Sequence, residues 1–289
     1  MMQLLITGLF LGGVYAIVAM GLSLQYGVAR IMNLASGEML VAGAFAAFWV
    51  VTAHSLNPYV SLILVIPGAF ALNWLIYRYI LLPLVKRAKN RGQLEVDSIL
   101  TTFGLSFVFV GIFLAVFGGN YFNYSFLSRP VEIFGSRYGL NRVTAFCIAV
   151  VICGALWYWI NNTRAGMAIR AVSVDPTSAG LVAIDVQRVS TFAFALGGAI
   201  AATGGVLLST FLTFEASVGI VFTMKALVIV IMGGVGDVRG AIVAALVLGI
   251  TETLVARLVD PGLTLASAYL LFILVLLFRP QGLFGRRAS

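Results

Sequence analysis

Long apolar runs separated by short polar breaks organise this chain from end to end. The runs fall near residues 3–29, 38–53, 58–82, 98–118, 143–161, 189–212, 222–235, 239–258 and 263–278. A helix needs ~20 apolar residues to cross a hydrocarbon core about 30 Å thick. The pattern therefore predicts an all-α membrane protein, a polytopic bundle of eight or nine transmembrane segments. Two of the runs, 38–53 and 222–235, are short for a full crossing. Each adjoins a glycine-containing polar turn, Asn33-Leu34-Ala35-Ser36-Gly37-Glu38 in one case and Gly233-Gly234-Val235-Gly236-Asp237 in the other. Such segments read as broken or re-entrant helices, because free backbone groups at membrane depth are tolerated only beside protein or water.

Composition agrees with the pattern. Of 289 residues, 61% are hydrophobic and 10% charged, and the mean hydropathy is +1.07. A soluble domain carries roughly 25% charged residues, so a soluble chain this apolar could not cover its own surface. No polar linker divides the sequence, which reads as one membrane domain over 1–289. The first cation is Arg30, so the N-terminal run lacks the basic start of a signal peptide and is expected to remain as the first span.

The net charge of +8 does not point to nucleic acid, because the lysines and arginines lie in the gaps between apolar runs. With 83–97 placed in the cytoplasm, thirteen cations border cytoplasmic loops: Arg30, Arg78, Lys86, Arg87, Lys89, Arg91, Arg164, Arg170, Arg188, Arg239, Arg279, Arg286 and Arg287. Five face outward: Arg129, Arg137, Arg142, Lys225 and Arg257. The positive-inside rule then gives an N-out, C-in topology. The loop 119–142 falls outside, and its Tyr121, Phe122, Tyr124, Phe126 and Tyr138 suit an interfacial segment.

Several functions lack their residues. No Gly-Lys dipeptide occurs, so there is no phosphate loop of the Walker type. Neither a Gly-x-Ser-x-Gly elbow nor a His-Glu-x-x-His pair is present. Cys147 and Cys153 share one apolar run at a spacing that fits no metal motif, and the lone His54 sits at a helix end, so no metal site is expected. The near-membrane acids are too few for a proton relay. Glu38 and Asp237 sit at turns. Glu252 has two readings: a polar group facing a pathway or a subunit contact, or a carboxylate near the outer interface paired with Arg257 or Lys225. Energy for uphill transport is therefore expected from another subunit. Asn33, Ser36, Thr101 and Thr102 join Glu38 and Glu252 as substrate-pathway candidates, the alternative being ordinary helix-contact polar residues.

The stretch 163–188 is too polar to span and too apolar for a solvated linker. Asp175 followed by Pro176 reads as an N-cap with proline at the first helical position, opening a short helix to about Ala183. Leu181, Val182 and Ile184 then leave an apolar surface ringed by Arg170, Asp185 and Arg188. That surface either docks a partner or lies on the membrane or under the bundle.

At this loop the sequence begins to resemble a known family. Gly166-Met167-Ala168-Ile169-Arg170-Ala171-Val172, then Asp175, Ala179, Leu181, Ile184 and Arg188-Val189, resembles branched-chain amino-acid ABC importer permeases, nearest their H-type leucine/isoleucine/valine subunit. Asn33 to Glu38 resembles the family's early Asn-Phe-Ala-His-Gly-Glu turn. Leu100-Thr101-Thr102-Phe103-Gly104-Leu105-Ser106 and Lys225-Ala226 through Gly236, with Gly240-Ala241, follow in the family's order. The sequence departs at Leu34, at Ser36 where the family has histidine, and at Ala183 where it has glycine before Ile184. The resemblance implies a transport subunit rather than an enzyme, in a bacterial inner membrane, with no cofactor on this chain. Its implied partners are two cytoplasmic ATPase subunits that bind ATP and magnesium, a second related permease or a second copy, and a periplasmic solute-binding protein. The ATPase-docking loop would use Arg170, Asp175, Ala179, Gly180, Leu181 and Ile184. The substrate would be a branched-chain or similar small amino acid. Alternatives are a urea or short-amide permease of the same family, or, from another class, a stand-alone secondary transporter.

Overall fold

The computed structural model describes residues 1–284 other than residues 125 and 134. Arg286 and Arg287, counted above among the inward cations, lie outside the described residues. Helices form wherever the apolar runs fall: α1 (Met2–Ala29), α2 (Ser36–His54), α3 (Leu62–Ile76), α4 (Leu82–Arg87), α5 (Arg91–Phe117), α6 (Leu140–Asn162), α7 (Arg164–Val174), α8 (Pro176–Leu181), α9 (Val186–Ser209), α10 (Gly219–Gly233), α11 (Val238–Leu258) and α12 (Thr264–Phe278). Among the described residues eight stretches are long and apolar enough to cross a membrane, so this is a polytopic α-helical membrane protein.

Helix α3 continues into α4 through a π-turn at Tyr77–Leu81. Pro83 follows directly and has no amide proton to give the preceding turn, so a widened turn absorbs the mismatch. The run read as 38–53 is a helix of 19 residues, long enough to cross. The run read as 222–235 is a helix of only 15 residues, too short to do so. The short helix expected from Asp175 to about Ala183 stops earlier, at Leu181.

Helix α1 lies at the centre, packed along α9 on one side and α11 on the other, while α2 and α3 pack on α9 and α10 fits among α1, α2 and α11. Small residues permit this closeness. A Cβ on Gly8 would lie 2.6 Å from Ile250 Cα, and one on Gly12 would lie 2.8 Å from Leu246 Cα. In the most apolar stretch of α9, 89% of residues are buried inside the protein, against 6% for Pro261–Phe278, which contains α12. Where apolar surface faces lipid rather than water, burial no longer sorts residues by hydrophobicity; close packing of small residues does.

At one end of the bundle, Phe122 and Phe214 exchange backbone hydrogen bonds of 2.8 and 3.0 Å. Their rings join Phe45, Phe48 and Phe117 in one aromatic cluster. The hairpin β1 (Pro130–Ile133) and β2 (Ser136–Gly139) follows in the chain, carrying an exposed Glu132–Arg137 pair at 3.1 Å. The Phe122–Phe214 contacts tie the chain after α5 to the segment that joins α9 to α10. At the opposite end, the chain after α12 returns to α10, where Leu283 and Phe284 donate their amides to the carbonyls of Met232 and Gly233.

Candidate functional site

Helix α1 ends at Arg30 in a left-handed conformation, φ 55°, and the next residues turn back into the bundle. Ile31, Asn33, Ala35 and Ser36 are all buried there. A non-helical backbone among packed helices must find partners for its polar groups, and side chains of other helices supply them. Asn33 Nδ2 donates to Gln25 Oε1 at 3.0 Å, and Gln25 Nε2 donates to the Phe194 carbonyl at 3.0 Å. The Ala35 amide donates to Asn33 Oδ1 at 3.0 Å. The Leu34 amide donates to Thr102 Oγ1 at 3.1 Å, and the Gly37 amide to Thr223 Oγ1 at 2.9 Å. The turn thus ties α1, α5, α9 and α10 together.

Helix α2 begins at this turn, and its first residues abut the first residues of α10. Gly37 packs on the Gly219 carbonyl so closely that neither position has room for a larger residue. Against Gly219 also lies the carboxyl group of Glu38, which is fully buried. Ser106 Oγ donates to Glu38 Oε1 at 3.1 Å. Among the described residues, Glu38 Oε2 and Ser36 Oγ are buried without a hydrogen-bond partner. The N-termini of α2 and of the short helix α10, each carrying a partial positive charge, therefore meet beside a buried carboxyl group and the Ser36 hydroxyl. Of the pathway candidates, Asn33, Ser36, Glu38 and Thr102 come together here. Thr101 is half-buried on α5 and takes no part in these bonds among the described residues.

Glu252 lies elsewhere. Its Oε2 accepts from Lys225 Nζ at 2.9 Å and from Tyr15 Oη at 2.7 Å, and Lys225 also donates to Tyr15 Oη at 2.9 Å. Glu252 is buried in the protein and Lys225 is mostly covered. Of the partners open to Glu252, the structure selects Lys225, and it places the pair between α10 and α11 rather than at a solvated helix end. Tyr15, Gln25, Ser106, Thr223 and Lys225 were not singled out as site residues from the sequence. A lysine inside the apolar run 222–235 was the available signal.

The loop 163–185 forms a second polar locus. Thr163 caps α7 through the Gly166 amide at 3.1 Å, and Arg170 donates to the side-chain and backbone oxygens of Asn161 at 3.2 Å each. Asp175 Oδ1 accepts from the Thr177 amide at 2.9 Å, and Ser178 Oγ donates to Oδ2 at 2.5 Å. These two donors, the hydroxyl foremost, hold the Asp175 carboxyl below the usual carboxylate range. Helix α8 closes with the Ile184 amide on the Ala179 carbonyl and the Ala183 amide on the Gly180 carbonyl. This is a Schellman turn, and it puts Ala183 in the left-handed region at φ 62°. The six docking candidates divide by exposure. Leu181 is 85% exposed, Gly180 and Arg170 are open, Asp175 and Ile184 are half-buried, and Ala179 is buried against the bundle.

A bundle of membrane-crossing helices with an interior junction where α2 and the short α10 begin, and a structured polar loop at one face, fits one class: a transport permease. The family model described as "Branched-chain amino acid transport system / permease component" matches residues 4–278, and the chain belongs to that family. It is 28% identical to the high-affinity branched-chain amino acid transport permease LivH of Salmonella typhimurium, over 99% of this chain and 96% of that protein. To BraD of Pseudomonas aeruginosa, named in the same terms, it is 27% identical over 99% and 96%. A ribose import permease, RbsC of Escherichia coli, is 25% identical over 54% of this chain and 51% of that protein. Among solved structures, PsaBC from Streptococcus pneumoniae in complex with Fab shares the fold, with a TM-score of 0.51 and 11% identity over 96% of this chain and 92% of that one. The chain is thus a multi-pass membrane transport subunit and not an enzyme.

Proposed function

We propose that this chain is the membrane-spanning subunit of an ATP-driven importer for branched-chain or similar small amino acids in a bacterial inner membrane. It would sit N-out and C-in, paired with a second permease or a second copy. Two ATPase subunits carrying ATP and magnesium would bind its cytoplasmic side, and a periplasmic binding protein would deliver the solute. Family membership and the names of the relatives support the substrate class.

The observation that carries the transport reading is the junction of α2 and α10. Helix N-termini meeting inside a bundle are places where transporters handle charged solutes, because oriented backbone groups replace lost hydration. Glu38 and Ser36 would line the pathway there, with Asn33 and Thr102 holding the turn in shape. Loop 163–185 would couple the ATPase to the bundle: Leu181 and Val182 offer an exposed apolar tip, and Ala179 anchors that tip from beneath.

The test is uptake of leucine, isoleucine and valine into vesicles holding the permease with its ATPase and binding protein. Uptake is expected to require both partners and ATP. Uptake driven by an ion gradient without the ATPase would contradict the reading.

A further inference from the structure

Two hollows on the coupling-loop side of the molecule share a wall. One is a cavity of about 940 Å³ whose lining includes Arg30, Arg170 and Arg239, with Asn161 and Ser173 between them. The other is an apolar groove of about 390 Å³ between α6 and α11, lined by Cys153, Gly154, Ile242 and Val243. Trp157 and Arg239 border both. The Arg239 guanidinium sits 5.4 Å from the centre of the Trp157 ring, so a charged group and an amphipathic ring mark the boundary between them.

Two acids also line the larger cavity, Asp237 and Glu95. Asp237 Oδ1 is turned to the amides of Arg239 and Gly240 at the start of α11. Glu95 stands 3.5 Å from Tyr26 Oη. Three guanidinium groups against two carboxylates leave the cavity cationic. Trp157 lies near the end of α6 and Arg239 near the start of α11, so the groove runs from that boundary into the depth of one leaflet.

We propose that this pair of hollows binds an anionic phospholipid, its phosphate in the arginine-lined cavity and an acyl chain in the groove past Gly154. The geometry favours a lipid over a free phosphate because the apolar groove opens outward from the cationic end. Basic pockets between transmembrane helices at a membrane face take anionic headgroups for this reason. A Cβ on Gly154 would meet nothing within 4 Å, so the groove floor is open at that point and can be filled without disturbing the bundle.

The experiment is native mass spectrometry of the permease, purified with its co-purifying subunits and supplied with phosphatidylglycerol, phosphatidylcholine or glycerol phosphate. Phosphatidylglycerol is expected to be retained over phosphatidylcholine. Arg239→Gln should weaken retention on the order of fivefold, the worth of one arginine beside an anionic surface. Gly154→Trp, with Val243→Phe as an independent second plug, should abolish lipid retention while the protein stays monodisperse. Equal retention of the two lipids would overturn the proposal, as would retention unchanged by both plugs. Displacement of the lipid by equimolar glycerol phosphate would show a free-phosphate site instead and overturn the lipid assignment. Failure of the assembled complex to retain any phosphatidylglycerol would mean that a subunit's own acidic segment fills the cavity, and would overturn it too.

Discussion

Lys225 of α10 and Glu252 of α11 form a buried ion pair at 2.9 Å, and Tyr15 of α1 closes a triangle with them. The Lys225 ammonium also lies 5.0 Å from the centre of the Tyr15 ring. Helix α10 is too short to cross, and its first turns are held by close contacts with α2. The triangle fixes its middle to α1 and α11.

Removing one charge should therefore cost more than removing both. Lys225→Met leaves Glu252 buried and unpaired, which costs about 3–5 kcal/mol, whereas replacing the pair by apolar residues of similar volume is often near neutral. Thermal unfolding in detergent should show a strongly lowered midpoint for Lys225→Met and a midpoint near the original for Lys225→Met with Glu252→Leu. A double variant no more stable than the single one would contradict this.

Leu181 and Ala179 lie two residues apart, one exposed and one buried, so aspartate at each should fail differently. Leu181→Asp is expected to leave a folded permease that no longer copurifies with its ATPase. Ala179→Asp places a charge under the bundle, and its yield of folded protein should collapse. Retained copurification in Leu181→Asp would remove the apolar tip from the docking surface.

Ala183 occupies a left-handed position that costs a non-glycine residue roughly 1–2 kcal/mol. Ala183→Gly should relieve much of that locally, slowing amide exchange in α8 and at Ile184. Faster exchange there would mean that the entropy of the added glycine outweighs the relieved strain.

Asp175 caps α8 as a carboxylate, and its folded-state affinity for protons is lowered by the Ser178 hydroxyl and the Thr177 amide. The cap's contribution is therefore fully present above the ordinary aspartate value near ~4 and is lost as pH falls through the lowered one. Amide protection of residues 177–181, corrected for intrinsic rates, should hold steady from neutral pH down to that value and fall below it. In Asp175→Asn the protection should carry no such pH step.

The apolar runs revealed the spans because a crossing helix must be apolar along its length, whichever neighbours it has. The polar turn Asn33–Glu38 marked one side of the α2–α10 junction; the other side, at Gly219, lies at the opposite end of α10 from the glycine turn that the sequence flagged, and only the packing brings it there. For Glu252 the sequence left Arg257 and Lys225 both open as partners, because charge position along the chain does not say which neighbour packs against it; the packing of α10 on α11 decides for Lys225. Tyr15 and Gln25 carried no signal, being polar residues in a run otherwise apolar on all sides. Ala179 and Leu181 could not be told apart, because a six-residue helix shows no period long enough to separate its faces. Ala183 was the exception: its departure from the family's glycine marks the position where the backbone turns left-handed.

The pathway claim is tested most directly at Ser36, which is fully buried near Glu38, its hydroxyl without a partner among the described residues. Ser36→Cys, in a background with Cys147 and Cys153 replaced, would be treated with a membrane-impermeant thiol reagent in the assembled importer, without nucleotide and trapped with ATP. The introduced thiol is expected to be modified in one of these states and protected in the other, as the junction opens to one side and closes. Protection in both states, in a complex that still imports amino acids, would place the pathway elsewhere.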